Sequence, residues 1–369
     1  MLLSNGNIYL NGRFVSGGIA FSRVVEAAGP EVTGGTDLAG DYVIPGLIDV
    51  HTHGAVGEDA GDGNPRGLEK MARYYAAGGV TAWCPTAATL PEKALTKAME
   101  AVGSFVRPGD GARIAGVHLE GPFLSREKCG AQNPDNLCAP DAELFRRLNE
   151  ASGRQVRLVT VAPELPGALP FIREVSKTCA VSLGHTAADY ETALAAYEAG
   201  ASHATHLFNA MPPLHHRKPG VVAAALEAGA TVELIPDGLH VHPAVIRLVH
   251  RLFGEKLALV SDSLRCAGMP DGAYELGGLA VTLAGGRVTL RGSDTLAGSS
   301  IHLMDGLRRA VSFGVPLEAA VYAATAAPAR AIRRDGELGS LALGFAADLI
   351  VLDRELNLKA VYIDGERVR

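Results

Sequence analysis

At 369 residues, with 47% hydrophobic and 20% charged side chains, the chain has the composition of a folded enzyme and not of a disordered tail. Its net charge of −6 leaves no basic stripe for a phosphate backbone, which excludes nucleic acid as a partner, and no apolar run approaches the roughly 18 residues of a membrane span. Five scattered cysteines (84, 129, 138, 179, 266) without a CxxC pair, and an N-terminus without a basic-then-apolar leader, predict a cytoplasmic protein with reduced thiols.

The first 44 residues read as short strands, NIYLNGRFV and RVVEAA, broken by Asn-Gly and Gly-Gly turns with no helix between them. From residue 45 the pattern changes. Apolar strand runs at 47–52, 80–85, 113–119, 155–162, 180–184, 203–208, 231–236 and 257–261 alternate with amphipathic stretches such as RGLEKMARYYAAG, DAELFRRLNE and AVIRLVHRLF. Near-continuous apolar strands separated by helices predict a parallel sheet covered on its outer face, and eight such units favour a closed barrel. A strand-rich insert, YELGGLAVTLAGGRVTLRG, follows the eighth run. Residues 336–369 return to strands and turns in ADLIVLD and LKAVYIDGERV. The predicted fold is α/β: a (β/α)8 TIM-like barrel over 45–335, with a small β-sandwich domain formed by 1–44 and 336–369. Its linkers are Ile44-Pro45-Gly46 and the Gly336–Gly344 stretch.

Polar clusters close five of these runs. His51 and His53 are spaced i, i+2 and share one strand face, where two imidazoles can hold one ion. Glu120 ends the third run beside Gly121-Pro122, and a glutamate at a barrel mouth is costly to bury unless a cation or several donors meet it. His185 and His206 close the fifth and sixth runs, and Asp262 closes the eighth. Ligands at the carboxyl ends of parallel strands converge on one mouth, and imidazole with carboxylate suits zinc or a similar divalent ion. An aspartate beside an activated water can take its proton and return it to the leaving group, which is the role expected of Asp262. His118 and His203 read as packing or core histidines, and His215, His216, His242, His250 and His302 as non-ligands.

With PGLIDVHTHG (45–54), GVHLEGPF (116–123), GAQNP (130–134), LVTVAPE (158–164), SLGHT (182–186), THLFNAMPPLHHRKPG (205–220), PDGLHVHP (236–243), LVSDSLRCAGMPDGAYELGG (259–278) and TLAGS (295–299), the chain resembles the amidohydrolase superfamily almost end to end. The resemblance implies a distorted barrel with a small β domain from both termini. It also implies hydrolysis of N-acetyl-D-glucosamine 6-phosphate to D-glucosamine 6-phosphate and acetate. The galactosamine epimer fits the same motifs, whereas a non-catalytic scaffold would not need the full ligand set. By resemblance, Glu120, His185 and His206 hold the principal divalent metal, and His51 and His53, bridged by Glu120 with Asp262 nearby, hold a second. One or two ions per chain are implied, with zinc or iron foremost and manganese or cobalt also compatible. Relatives that bridge two metals through a lysine on the fourth strand have no counterpart in VRLVTVAPE, so bridging falls to Glu120. The resemblance further assigns Asn209, Ala210 and the phosphate-binding Arg217 to the sugar phosphate, and His240 to the reacting carbonyl. Ala131, Gln132, Leu296, Ala297 and Gly298 make the other sugar contacts. It implies a homodimer, with the 211–220 loop placed to reach a neighbouring subunit.

Overall fold

In the computed structural model, which describes all residues 1–369, eight parallel strands form a nearly closed barrel. In hydrogen-bonded order they are Leu47–Thr52, Val80–Ala87, Val117–Glu120, Val156–Val161, Ala180–Leu183, His203–Ala204, Thr231–Leu234 and Leu257–Leu259. Most of these strands are buried along their whole length, as expected when helices cover one face of a sheet whose other face fills a core. The helix Pro65–Ala77 illustrates the covering layer. Asn64 caps it by accepting from the Arg66 N–H, Pro65 opens it, and Leu68, Met71, Ala72, Tyr75 and Ala76 form the buried stripe.

Two strands depart most from their apolar patterns. The third is split into Arg113–Ile114 and Val117–Glu120. The sixth stops at Ala204 because the chain bends into left-handed backbone at His206 (φ 24°) and Phe208 (φ 76°). No ladder joins the eighth strand to the first. That gap is bridged at the mouth, where the Asp262 N–H donates to His51 O at 2.9 Å and the His53 N–H to Ser263 O at 2.9 Å. These two bonds place the end of the eighth strand directly against the HxH pair.

The insert after the eighth strand is a three-stranded antiparallel sheet, Gly272–Leu276, Leu279–Ala284 and Arg287–Leu290. Leu276, Val281, Leu283 and Val288 bury its inner face against Leu264 and Ala88, so the sheet stands over one side of the barrel mouth. The two termini meet in one continuous eight-stranded sheet. Tyr42–Pro45 pairs antiparallel with Leu349–Leu352, and Leu3, Ile8, Ile19, Phe21, Val43, Leu349, Val351 and Tyr362 share its core. Arg113 ties this sheet to the barrel through Asp348 (2.6 Å) and Asp364 (3.0 Å).

Candidate active site

The strand alternation sends His51 and His53 to the same side, into the mouth. His51 Nδ1 donates to Glu233 Oε2 at 2.8 Å, and His53 Nδ1 donates to the Thr86 carbonyl at 3.2 Å. Each ring therefore turns its Nε2 inward, because the partner of one ring nitrogen fixes the role of the other. His51 Nε2 lies 3.4 Å from both Glu120 Oε1 and Asp262 Oδ1. His53 Nε2 lies 3.1 Å from Glu120 Oε2 and 3.3 Å from Asp262 Oδ1.

On the other side of Glu120 a second set converges. Glu120 Oε1 is 3.1 Å from His185 Nε2 and 2.9 Å from His206 Nε2, and the two nitrogens are 3.0 Å apart. His185 donates from Nδ1 to the Lys128 carbonyl at 3.0 Å. Gln132 donates from Nε2 to Glu120 Oε2 at 2.6 Å and accepts the Thr89 N–H at 2.7 Å, which locks the carboxylate between the two sets. His185 (φ 46°), His206 (φ 24°) and Asp262 (φ 49°) all sit in left-handed backbone, which L-residues adopt at a cost of order 1–3 kcal/mol. The surrounding hydrogen bonds hold that strain, and the bends aim the side chains at one point.

The electrostatics match this crowding. Burial pushes the Glu120 carboxyl up, but the imidazoles of His51 and His185 overcome it and hold it well below the ordinary carboxylate range. Asp262 is likewise raised by burial and lowered further by His51 and His53, so it is ionised at neutral pH. Burial pushes His53 down, and Asp262 with Glu120 raises it to about 10. Acceptor atoms cannot lie this close together without positive charge among them: protons in the empty protein, or a divalent cation in their place. Of the three triads whose donor atoms lie within 4.8 Å of one another, two share Glu120: His51–His53–Glu120 and Glu120–His185–His206. Nitrogen and oxygen atoms about 3 Å apart, on rings already oriented by their other nitrogens, suit metal bonds of about 2.0–2.2 Å. The residues fit the ion.

Above these ligands opens a cavity of about 490 Å³. Ala131, Gln132, Asn209, Ala210, His240, Leu296 and Gly298, the residues that the resemblance assigns to substrate, line it. Ala297 does not. It is fully buried with Leu264 and Val288 in the core under the insert, because neighbours on an extended segment face opposite ways. Arg217 does not line it either: it sits exposed on the loop after His206, with Nη1 2.6 Å from His216 Nε2. Two cations not singled out in the sequence, Lys128 and Arg287, do reach the cavity wall. Arg287 opens the third strand of the insert, in a stretch that carries no motif beyond strand alternation.

His240 is fixed by Asp237, a residue that no sequence motif singles out. Asp237 accepts from His240 Nδ1 at 2.7 Å and from the Leu239 and His240 N–H groups at 2.8 and 2.9 Å. That leaves Nε2 as the ring nitrogen available to the cavity. Burial raises Asp237, but its bond and charge pairing with His240 bring it below the usual carboxylate value. The i, i+3 spacing of Asp and His in the PDGLH turn was the available signal. His118 and His203 lie in the core as expected, bonded to Thr160 (2.8 Å) and Ser182 (3.0 Å). His242 and His302 cap helices through the N–H groups of Ala244 and Met304.

A barrel with imidazole and carboxylate ligands at its strand ends and an aspartate closing the eighth strand defines a metal-dependent hydrolase of the amidohydrolase type. The chain belongs to the amidohydrolase family, whose sequence profile matches residues 42–368. It is 37% identical over 347 residues to the N-acetylgalactosamine-6-phosphate deacetylase of Escherichia coli O157:H7, covering 93% of this chain and 92% of that protein. It is 38% identical over 330 residues to the N-acetylglucosamine-6-phosphate deacetylase of Vibrio furnissii, covering 88% and 82%. Among solved structures, the D267A mutant of the Mycobacterium smegmatis N-acetyl-D-glucosamine-6-phosphate deacetylase, in complex with N-acetyl-D-glucosamine-6-phosphate, superposes with a TM-score of 0.93. It is 35% identical, over 100% of this chain and 99% of that one.

Proposed function

We propose that this chain hydrolyses the acetamide of N-acetyl-D-glucosamine 6-phosphate, releasing acetate and D-glucosamine 6-phosphate. The observation that carries the reading is the convergence of Glu120, His185, His206, His51, His53 and Asp262 at the floor of one polar cavity. Relatives in the same family that share more than a third of its residues are named for this reaction or its galactosamine counterpart.

Glu120, His185 and His206 would hold the principal ion, and His51 and His53 a second, with Glu120 shared between them. A divalent cation there supplies polarisation of the acetamide carbonyl and acidification of a water. Zinc or iron suits the donors best, and manganese or cobalt also fits. Asp262, ionised and facing both imidazoles of the HxH pair, takes the proton of the attacking water and gives it to the departing amine. His240, turned by Asp237, meets the developing oxyanion, a contact typically worth about 3 kcal/mol. Gln132 keeps Glu120 in place, and Asn209, Ala210, Leu296 and Gly298 shape the sugar pocket.

Arg217 is exposed on its loop and outside the cavity of its own chain, so its assignment to the phosphate requires a homodimer in which the loop serves the neighbouring site. Lys128 and Arg287 are the cations on the wall within one chain. All five cysteines are free, which supports a cytoplasmic location. The similarity to an N-acetylgalactosamine-6-phosphate deacetylase gives a second reading, in which the epimer is the preferred substrate. Acetate release from both epimers, with and without chelator, tests the proposal. Metal-dependent turnover of neither sugar phosphate would refute it.

A further inference from the structure

Beneath the metal ligands lies a layer of fully buried polar side chains that deacetylation does not use. His118 Nε2 meets Thr160 Oγ1 at 2.8 Å, Thr160 meets Thr205 Oγ1 at 2.8 Å, Thr205 meets Ser182 Oγ at 2.5 Å, and Ser182 meets His203 Nδ1 at 3.0 Å. His203 Nε2 then faces Glu233 Oε1 at 3.9 Å, and Glu233 Oε2 accepts from His51 Nδ1 at 2.8 Å. The layer returns to its start, because the rings of His51 and His118 pack edge to face with centroids 4.5 Å apart.

Glu233 is the only carboxylate in this layer and has no exposed surface. A buried carboxylate is expensive, and an apolar side chain of similar volume would suit a strand interior at less cost. Its contacts indicate why it is there. Oε2 accepts from the imidazole of His51 and also from the His206 backbone N–H at 3.1 Å. One oxygen thereby touches a ligand of each metal subsite, His51 through its ring and His206 through the bend that aims it.

We propose that Glu233 is a positioning residue that holds His51 with Nε2 presented to the HxH subsite. The inference rests on the metal centre of the proposed function. His51, His118 and Glu233 also lie close enough together to suggest an ion of their own. The geometry argues against one: His51 Nδ1 cannot donate to Glu233 and ligate a metal as well. Proton bookkeeping agrees. If the hydroxyls run in one direction, from His118 through Thr160, Thr205 and Ser182 to His203, every step has one donor and one acceptor, and His203 turns Nε2–H toward Glu233. The carboxylate then accepts the His51 N–H and faces that of His203 at 3.9 Å, beyond hydrogen-bond reach.

The test is a metal titration of the chelated, metal-free protein with zinc against a competing chromophoric chelator, with bound metal counted by elemental analysis and no reliance on turnover. The wild type should take two equivalents. Glu233→Ala should keep the first and bind the second about 10–100-fold more weakly. Glu233→Gln, which retains an oxygen able to accept from His51 Nδ1, should recover much of that loss. In cobalt-loaded protein, the visible bands of the second equivalent should shift in Glu233→Ala and those of the first should not. Two equivalents bound with wild-type affinity by Glu233→Ala would overturn the inference, as would an equal loss from both subsites. If Glu233→Ala does not fold, wild-type affinity in a folded Glu233→Leu protein would overturn it on the same terms. A wild type limited to one equivalent would overturn the two-ion centre as well, which separates failure of the metal reading from failure of Glu233 alone.

Discussion

At the floor of the cavity, His51, His53, Glu120, His185, His206 and Asp262 are each less than a tenth exposed. Glu233, Thr86, Gln132 and the Lys128 carbonyl hold four of them by separate hydrogen bonds. At the rim, Arg217 and Arg287 are exposed, Lys128 is half-buried, and none has a carboxylate partner in the chain. The floor is set by folding alone, since each ligand sits at or just past the end of a barrel strand that the core fixes. The rim belongs to loops and to the insert, whose exposed cations no acidic side chain of the same chain fixes. The difference separates the chemistry, which the fold dictates, from substrate selection, which it leaves adjustable.

The largest loss of activity is expected at Asp262. Asp262→Asn keeps the shape and removes the proton acceptor, so kcat should fall by about 100-fold or more while KM changes little. Steady-state rates near wild type would take Asp262 out of the mechanism.

Gln132 tests whether support matters as much as ligation. Gln132→Leu removes the donor to Glu120 and leaves the Thr89 N–H without its acceptor, so the affinity for the principal ion should drop about 10–100-fold by competition titration. The same titration against pH probes the floor's charge. In the empty protein His53 stays protonated up to about 10, and a metal at Nε2 must displace that proton. Apparent affinity of the HxH subsite should therefore weaken by about tenfold per pH unit as pH is lowered from 9 toward 6.5, with proton release on loading. The sign is fixed by the raised value: this ion pairing stabilises the metal-free protein fully below the ordinary imidazole value of 6.5 and is lost as pH rises through about 10.

The rim should respond more weakly and more selectively. Arg217→Ala should reduce kcat/KM for the phosphorylated sugar by about tenfold, the low end expected of a charge-assisted contact, and barely affect unphosphorylated N-acetylglucosamine. Mixing Arg217→Ala with Asp262→Asn subunits should raise kcat/KM above that of either variant alone, if the arginine acts across subunits. Arg287→Ala should cost only about two- to fivefold, as an exposed charge does. A larger loss at Arg287 than at Arg217 would move the phosphate to the wall of the same chain.

Legibility in the sequence follows the same division. His51, His53, Glu120, His185 and Asp262 could be read because each stands at the end of an apolar run, and a strand end in a barrel fixes both position and direction. His206 was readable although its strand stops at Ala204, since its backbone bends the side chain into the mouth after the ladder has ended. Glu233 was not, because TVELI gives no sign that the one charged side chain in a buried strand meets the far ring nitrogen of His51. Ala297 and Arg217 mark where motif position stops predicting direction: one turns into the core under the insert, and the other stays on an exposed loop. Lys128 and Arg287 come to the wall from a loop and an insert that share no period with the barrel.

The most direct test of the account is acetate release from N-acetyl-D-glucosamine 6-phosphate by protein stripped of metal and then titrated with zinc, with bound metal counted in the same samples. The account predicts no turnover in the stripped protein and a return of activity as metal fills the floor, complete by two equivalents per chain. Full turnover by protein verified to be metal-free would contradict it.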